Sequence, residues 1–185
     1  MKRKQLLFAA ALCALCIISE DAWAKKFKKV DSKGIANMIF ASRGIGKGKE
    51  KSVTLKDSFT SGDKIYARAY FPRKVGRFKR GESCHVHIWV DGKVVWRGSY
   101  SGKSLPNASW DQIQLYIHNT GDDDFKGGMS RALKGLSSGK HKVMVTVVRD
   151  KFMKYKYVKA GKGVTKKPIY KPVYLSKGTF TYVAK

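Results

Sequence analysis

Residues 84–97 constrain this chain more than any other stretch. Cys84, Val86, Ile88 and Val90 alternate with His85, His87 and Trp89; Asp91-Gly92 interrupts, and Lys93-Val94-Val95-Trp96-Arg97 follows. A period of two sends neighbouring side chains to opposite faces, which marks a half-buried strand. Asp-Gly between two such runs predicts a type I′ hairpin turn, because both central residues need positive φ. The expected register pairs Val90 with Lys93, Trp89 with Val94 and His87 with Trp96, and the expected core face carries Val86, Ile88 and Val95.

The same alternation recurs along the chain. Ala36 to Ser42 reads as a strand with Met38 and Phe40 on one face, and Ser52 to Phe59 as a second with Val53, Leu55 and Phe59. Ile65, Ala67, Ala69 and Phe71 alternate with Tyr66, Arg68 and Tyr70 until Pro72. Between Trp110 and His118, Ile113, Leu115 and Ile117 are expected inward and Gln112, Gln114, Tyr116 and His118 outward. Lys140 to Arg149 is apolar on both faces, as a central strand should be, and Gly178 to Ala184 closes the chain with Phe180 and Tyr182. Met129 to Leu136 predicts one or two helical turns anchored by Leu133 and Leu136. The expected fold is all-β: an antiparallel two-sheet sandwich with at most one short helix. The phrases Ser61-Gly62-Asp63-Lys64-Ile65-Tyr66 and Ser138-Gly139-Lys140-His141-Lys142-Val143 each put a turn before an alternating strand. In that style, over residues 52–185, the chain resembles bacterial immunoglobulin-like or fibronectin-like domains, without the paired cysteines of antibody domains.

The N-terminus has the layout of a secretory signal peptide. Lys2, Arg3 and Lys4 precede an uncharged run from Leu6 to Ile18, and Ala22-Trp23-Ala24 matches a small-x-small cleavage site. The apolar run is too short to span a bilayer comfortably, which takes about 20 residues. Residues 1–24 therefore read as the signal, 25–51 as a basic leader, first strand and flexible loop, and 52–185 as the β-domain. The expected location is the periplasm or the outside. Cys13 and Cys16 leave with the signal, so Cys84 remains without an intramolecular partner. Its place in an apolar run favours a buried small hydrophobe over a reactive thiol.

Lys and Arg number 39 against 13 Asp and Glu, a formal net charge of +26. A surplus of this size attracts anionic polymers and membranes. Lysines outnumber arginines, 30 to 9, which favours diffuse attraction over bidentate base readout. The charge gathers in loops at 43–51 and 73–80, the latter with Arg73, Lys74, Arg77, Lys79 and Arg80. It also fills a basic aromatic segment at about 150–174. There Lys151, Lys154, Lys156, Lys159, Lys166 and Lys167 lie among rings that include Tyr155 and Tyr157. Lysines that track phosphates beside rings that stack are the pattern of an anionic-ligand surface; lysines that guard a sheet edge against aggregation give the same pattern.

Other chemistry is thin. His85 and His87 leave one strand face together, but no third ligand stands at a telling spacing, so no metal or other cofactor is expected. Asp122-Asp123-Asp124 fails as a calcium loop because Lys126 and Leu133 would occupy ligand positions. Neither glycine-rich basic segment has nucleotide-binding spacing, and no nucleophile motif appears. The expected partner is an anionic polymer or membrane surface, met by a non-catalytic module. The competing expectation is an envelope assembly protein that pairs with another protein through its sheet edges.

Overall fold

The computed structural model describes residues 27–100, 105–118, 125, 127–160 and 163–185. Residues 1–24, expected to be an export signal, and Asp122-Asp123-Asp124 lie outside the described residues. The elements are β1 (Ala36–Ala41), β2 (Ser58–Thr60), β3 (Ile65–Tyr70), β4 (Ser83–Val90), β5 (Lys93–Tyr100), β6 (Gln112–His118), helix α1 (Gly128–Lys134), β7 (Gly139–Ala160) and β8 (Gly163–Ala184). The described residues are mostly β with one short α-helix, as the alternation implies.

The strands follow one hydrogen-bonded path, β5-β4-β7-β8-β1-β3-β6, with β2 also paired to β8. This corrects the expected two antiparallel sheets. β1 starts parallel to β8, with Ala36 opposite Ser176, and continues antiparallel to β3, with Phe40 opposite Ala67. Because β1 serves both neighbours, the sheet is continuous, mixed and curled into a half-barrel. Its concave face holds one core in which Ala67, Ala69, Val86, Ile88, Leu115, Ile117, Val143, Val145 and Val147 are fully buried. The two edge strands, β5 and β6, both contact α1, whose Met129 and Leu133 are fully buried as a plug between them.

β-bulges revise several expected faces. Asp91 and Gly92 adopt the positive φ of the predicted turn, 48° and 84°. Trp89 faces Val94 as expected, but the register then shifts and Ile88, not His87, faces Trp96. Val95 is the extra residue and is 42% exposed instead of core-facing. A bulge sets two residues against one and turns the strand. Here it swings the Trp96 ring over Gly98 and Gly128, where any Cβ would collide with it. A second shift opposes Ile65 to His118 and Tyr66 to Tyr116, so His118, expected outside, is fully buried.

The expected Ser52–Phe59 strand is reduced to Ser58–Thr60 after a 3-10 turn at Glu50–Ser52. Val53 packs in a small cluster with Ala41 and Ile45, whereas Phe59 enters the main core, and one straight strand cannot serve both. Nor is the 43–51 segment a free basic loop. It covers the outer face of β3 and β6: Ile45 is fully buried, its carbonyl accepts from Arg68 Nε at 2.9 Å, and Glu50 accepts from the Tyr70 hydroxyl at 3.0 Å. Arg68, Tyr70 and Gln112, expected on a solvated face, are therefore buried.

Candidate functional site

β7 pairs with β4 only as far as Asp150, opposite Ser83. Beyond that point β7 and β8 pair only with each other, from Lys151 opposite Lys171 to Ala160 opposite Gly163. The basic aromatic segment is thus an extended two-stranded ribbon that leaves the core.

The ribbon has two chemically different faces. The register shifts between Phe152 and Lys154, making Met153 the bulged residue. Phe152 opposes Tyr170, Tyr155 opposes Pro168 and Tyr157 opposes Lys166. These residues share one face: the Phe152 and Tyr155 rings are 4.9 Å apart, Phe152 and Tyr170 are 6.1 Å apart, and Lys166 Nζ lies 4.0 Å from the Tyr155 ring centre. The opposite face carries Lys151 with Lys171, Lys154 with Ile169, and Lys156 with Lys167. Lys159 falls on the aromatic face, opposite Val164. Tyr155 and Tyr157 are 48% and 67% exposed.

The 73–82 loop is docked against the ribbon base. Buried Glu82 accepts from the backbone amides of Lys79 at 3.0 Å and Phe152 at 2.8 Å, and pairs with Arg149 Nη2 at 2.6 Å. Burial opposes ionisation of Glu82, but the hydrogen bonds from Arg149, Lys79 and Phe152 outweigh it and hold the carboxyl below its usual range. Arg149 also donates to the Val75 and Arg77 carbonyls and stacks on Phe78, 4.3 Å from the ring centre. Lys79 Nζ lies 5.9 Å from the Phe152 ring, and the Tyr170 hydroxyl sits where a Cβ on Gly81 would fall. Arg73, Lys74, Arg77, Lys79 and Arg80 stay exposed around this joint, as do Lys151, Lys154, Lys156, Lys159, Lys166 and Lys167. The structure therefore joins two of the three expected basic segments and assigns the third, 43–51, to covering β3 and β6.

His85 and His87 do stand side by side, 6.0 Å between ring centres, on the outer face. His85 is fully engaged: Nδ1 lies 2.7 Å from Ser99 Oγ, and Nε2 lies 2.8 Å from both Asp150 Oδ2 and Ser83 Oγ. Serine, histidine and aspartate in a row have the members of a catalytic relay. Ser83 and Asp150 share one ring nitrogen, however, and the group spreads over an open sheet face, so we read it as polar cover for β4, β5 and β7. Burial lowers the pKa of His87, with Arg97 and His85 adding to the effect, and neither of its ring nitrogens has a protein partner. Among the described residues no three His, Cys, Asp or Glu side chains gather in a metal-holding group. Cys84 is free and fully buried, and burial pushes its thiol up to about 12.

Sequence reasoning missed Glu82 and Arg149 as the joint between loop and ribbon. The available signal was Glu82 itself, a carboxylate at the end of a run of cations. No protein-family description matches the chain, and no curated protein matches it either. Among the described residues no helix is long and apolar enough to cross a membrane.

Proposed function

We propose that this chain is an exported, non-catalytic binding module for an anionic polymer or envelope surface: lipopolysaccharide, acidic polysaccharide, nucleic acid or anionic lipid. The observation that carries this reading is the two-faced ribbon, which presents its rings, with Lys159 and Lys166, on one side and the rest of its paired lysines on the other, clear of the core. Lysines neutralise phosphate or carboxylate charge and release counterions, and exposed rings add sequence-tolerant stacking or interfacial contact. The docked 73–82 loop widens the positive surface at the ribbon base.

Binding of the purified protein to lipopolysaccharide, a heparin-like polysaccharide, DNA and anionic vesicles across a salt series tests this. The expected result is strong binding to one class with a steep salt slope. Changing Lys151, Lys154, Lys156 and Lys167 to Gln should flatten the slope, by up to about 0.9 per lost phosphate contact on duplex DNA. Tyr155→Ala with Tyr157→Ala should weaken binding at every salt concentration and leave the slope in place. Equal, weak binding to all four classes would reject the reading.

A second reading rests on a separate observation. Among the described residues β5 and β6 each end the sheet path with one unpaired edge, and such edges accept a strand from a partner. Under it the protein is a structural or assembly component of the envelope, and its signature is a complex or oligomer that survives high salt.

A further inference from the structure

The facing edges of the half-barrel leave a cleft of about 830 Å³ beside β6, lined by Lys47, Arg68, Tyr100, Trp110, Gln112 and Phe125, with Asp111 at its rim. No ribbon residue lines it, so what binds there is independent of the reading given to the ribbon. Four features describe its ligand. Gln112 is 7% exposed, yet its amide oxygen and nitrogen both lack a partner in the protein. A buried donor and acceptor left unmet are costly, and a flexible glutamine stem lets the amide turn toward a ligand that offers both. Trp110 stands 49% exposed at the same cleft and offers the half-open surface of a large flat ring. Asp111 supplies a carboxylate acceptor next in sequence, while Tyr100 and Phe125, their rings 4.8 Å apart, form an apolar wall.

We propose that this cleft binds a saccharide unit carrying an acetamido group. The acetamido N–H and C=O are the complement of the orphan Gln112 amide, its methyl suits the Tyr100–Phe125 wall, the C–H face of a sugar ring lies flat on Trp110, and ring hydroxyls donate to Asp111. Lys47 at the mouth accommodates an acidic substituent. An extended peptide along the β6 edge also carries amides, but it gives the exposed indole and the carboxylate no specific task, so it belongs among the outcomes that would overturn the proposal.

The test is a titration of the ¹⁵N-labelled full chain, followed by NMR, with the β-1,4-linked disaccharide of N-acetylglucosamine. Its deacetylated form, cellobiose and a blocked dipeptide amide serve as controls. The expected result is saturable shifts of the Gln112 side-chain amide and the Trp110 indole N–H, with binding at least about tenfold weaker for the two sugars that lack acetamido groups, because a site built to hydrogen-bond a group rejects analogues without it. Gln112→Leu should lose the binding and melt no lower than the parent, since it removes an unmet amide from a buried place. Trp110→Ala should weaken binding several-fold while its thermal melt stays cooperative, which shows that the variant is folded. Absence of saturable shifts at both reporters, equal binding of the deacetylated sugar or cellobiose, or tighter binding of the dipeptide would each overturn the proposal.

Discussion

Glu82 holds a negative charge in a buried place at the ribbon base because Arg149 and two backbone amides surround it. Its folded pKa lies below the usual value of 4.5, so ionised Glu82 stabilises the fold above ordinary carboxylate pKa values, and that contribution is lost as pH falls through the depressed one. Glu82→Gln should cost about 3 kcal/mol at neutral pH, because it leaves Arg149 half-buried and unpaired. Thermal melts against pH should show the gap between variant and parent closing in acid; a gap that persists there would mean the carboxylate charge is not what holds the joint. Replacing Ile88 or Val145, both fully buried, with Ala should cost about 2–4 kcal/mol, and unchanged melts would show that these residues do not face the core. Those two residues were legible in the sequence because they lie on stretches whose period of two is unbroken. Val95 and His118 were not, because each lies at a register shift, where one extra residue inverts the faces beyond it. The one local sign of the first shift is Gly98, two positions after Trp96, which leaves the room that the indole ring occupies.

Between elements, the ribbon shows how a bulge can create a surface. Phe152 and Tyr155 are three apart, so a strict strand sends them to opposite faces; Met153 absorbs the extra step and their rings meet. The composition of this segment was plain in the sequence, but its separation into an aromatic and a lysine face was not, since the position of a bulge depends on the partner strand. Its residues beyond the joint add nothing to the core. Deleting 154–159 together with 164–169 removes matched partners from both strands and keeps the hairpin in register. Thermal stability should change by less than about 2 °C, the scale of a surface substitution in a chain of this size, while affinity for the anionic polymer should collapse. A fall in melting temperature on the order of 10 °C would mean the ribbon supports the fold.

At the scale of the whole molecule, individual strands were easier to read than their neighbours. β4 and β5 are adjacent in sequence and the turn between them announces the pairing; β1 meets β8 across almost the full chain, with Asn37 opposite Lys177, and no local pattern reports such a partner. The parallel contacts that make the sheet mixed are of this distant kind. The order of the sheet sets a timetable for folding. β7 and β8 stand in its middle although they are the last strands to be synthesised, and the earlier strands are arranged on either side of them. Until β7 has emerged, β4 has only β5; until β8 has emerged, β1 has only β3 and β2 lacks the strand it lies alongside. Closing such long loops is slow, and unpaired strands are exposed to aggregation while they wait. Fragments that end before Gly163 should show no cooperative melt, and in the full chain Val145→Ala should slow refolding more than Ile113→Ala does; a fragment that melts cooperatively would refute this sequence of events. A chain so arranged holds β5-β4 and β1-β3-β6 as separate pieces until β7 and β8 come between them, and then condenses around that pair.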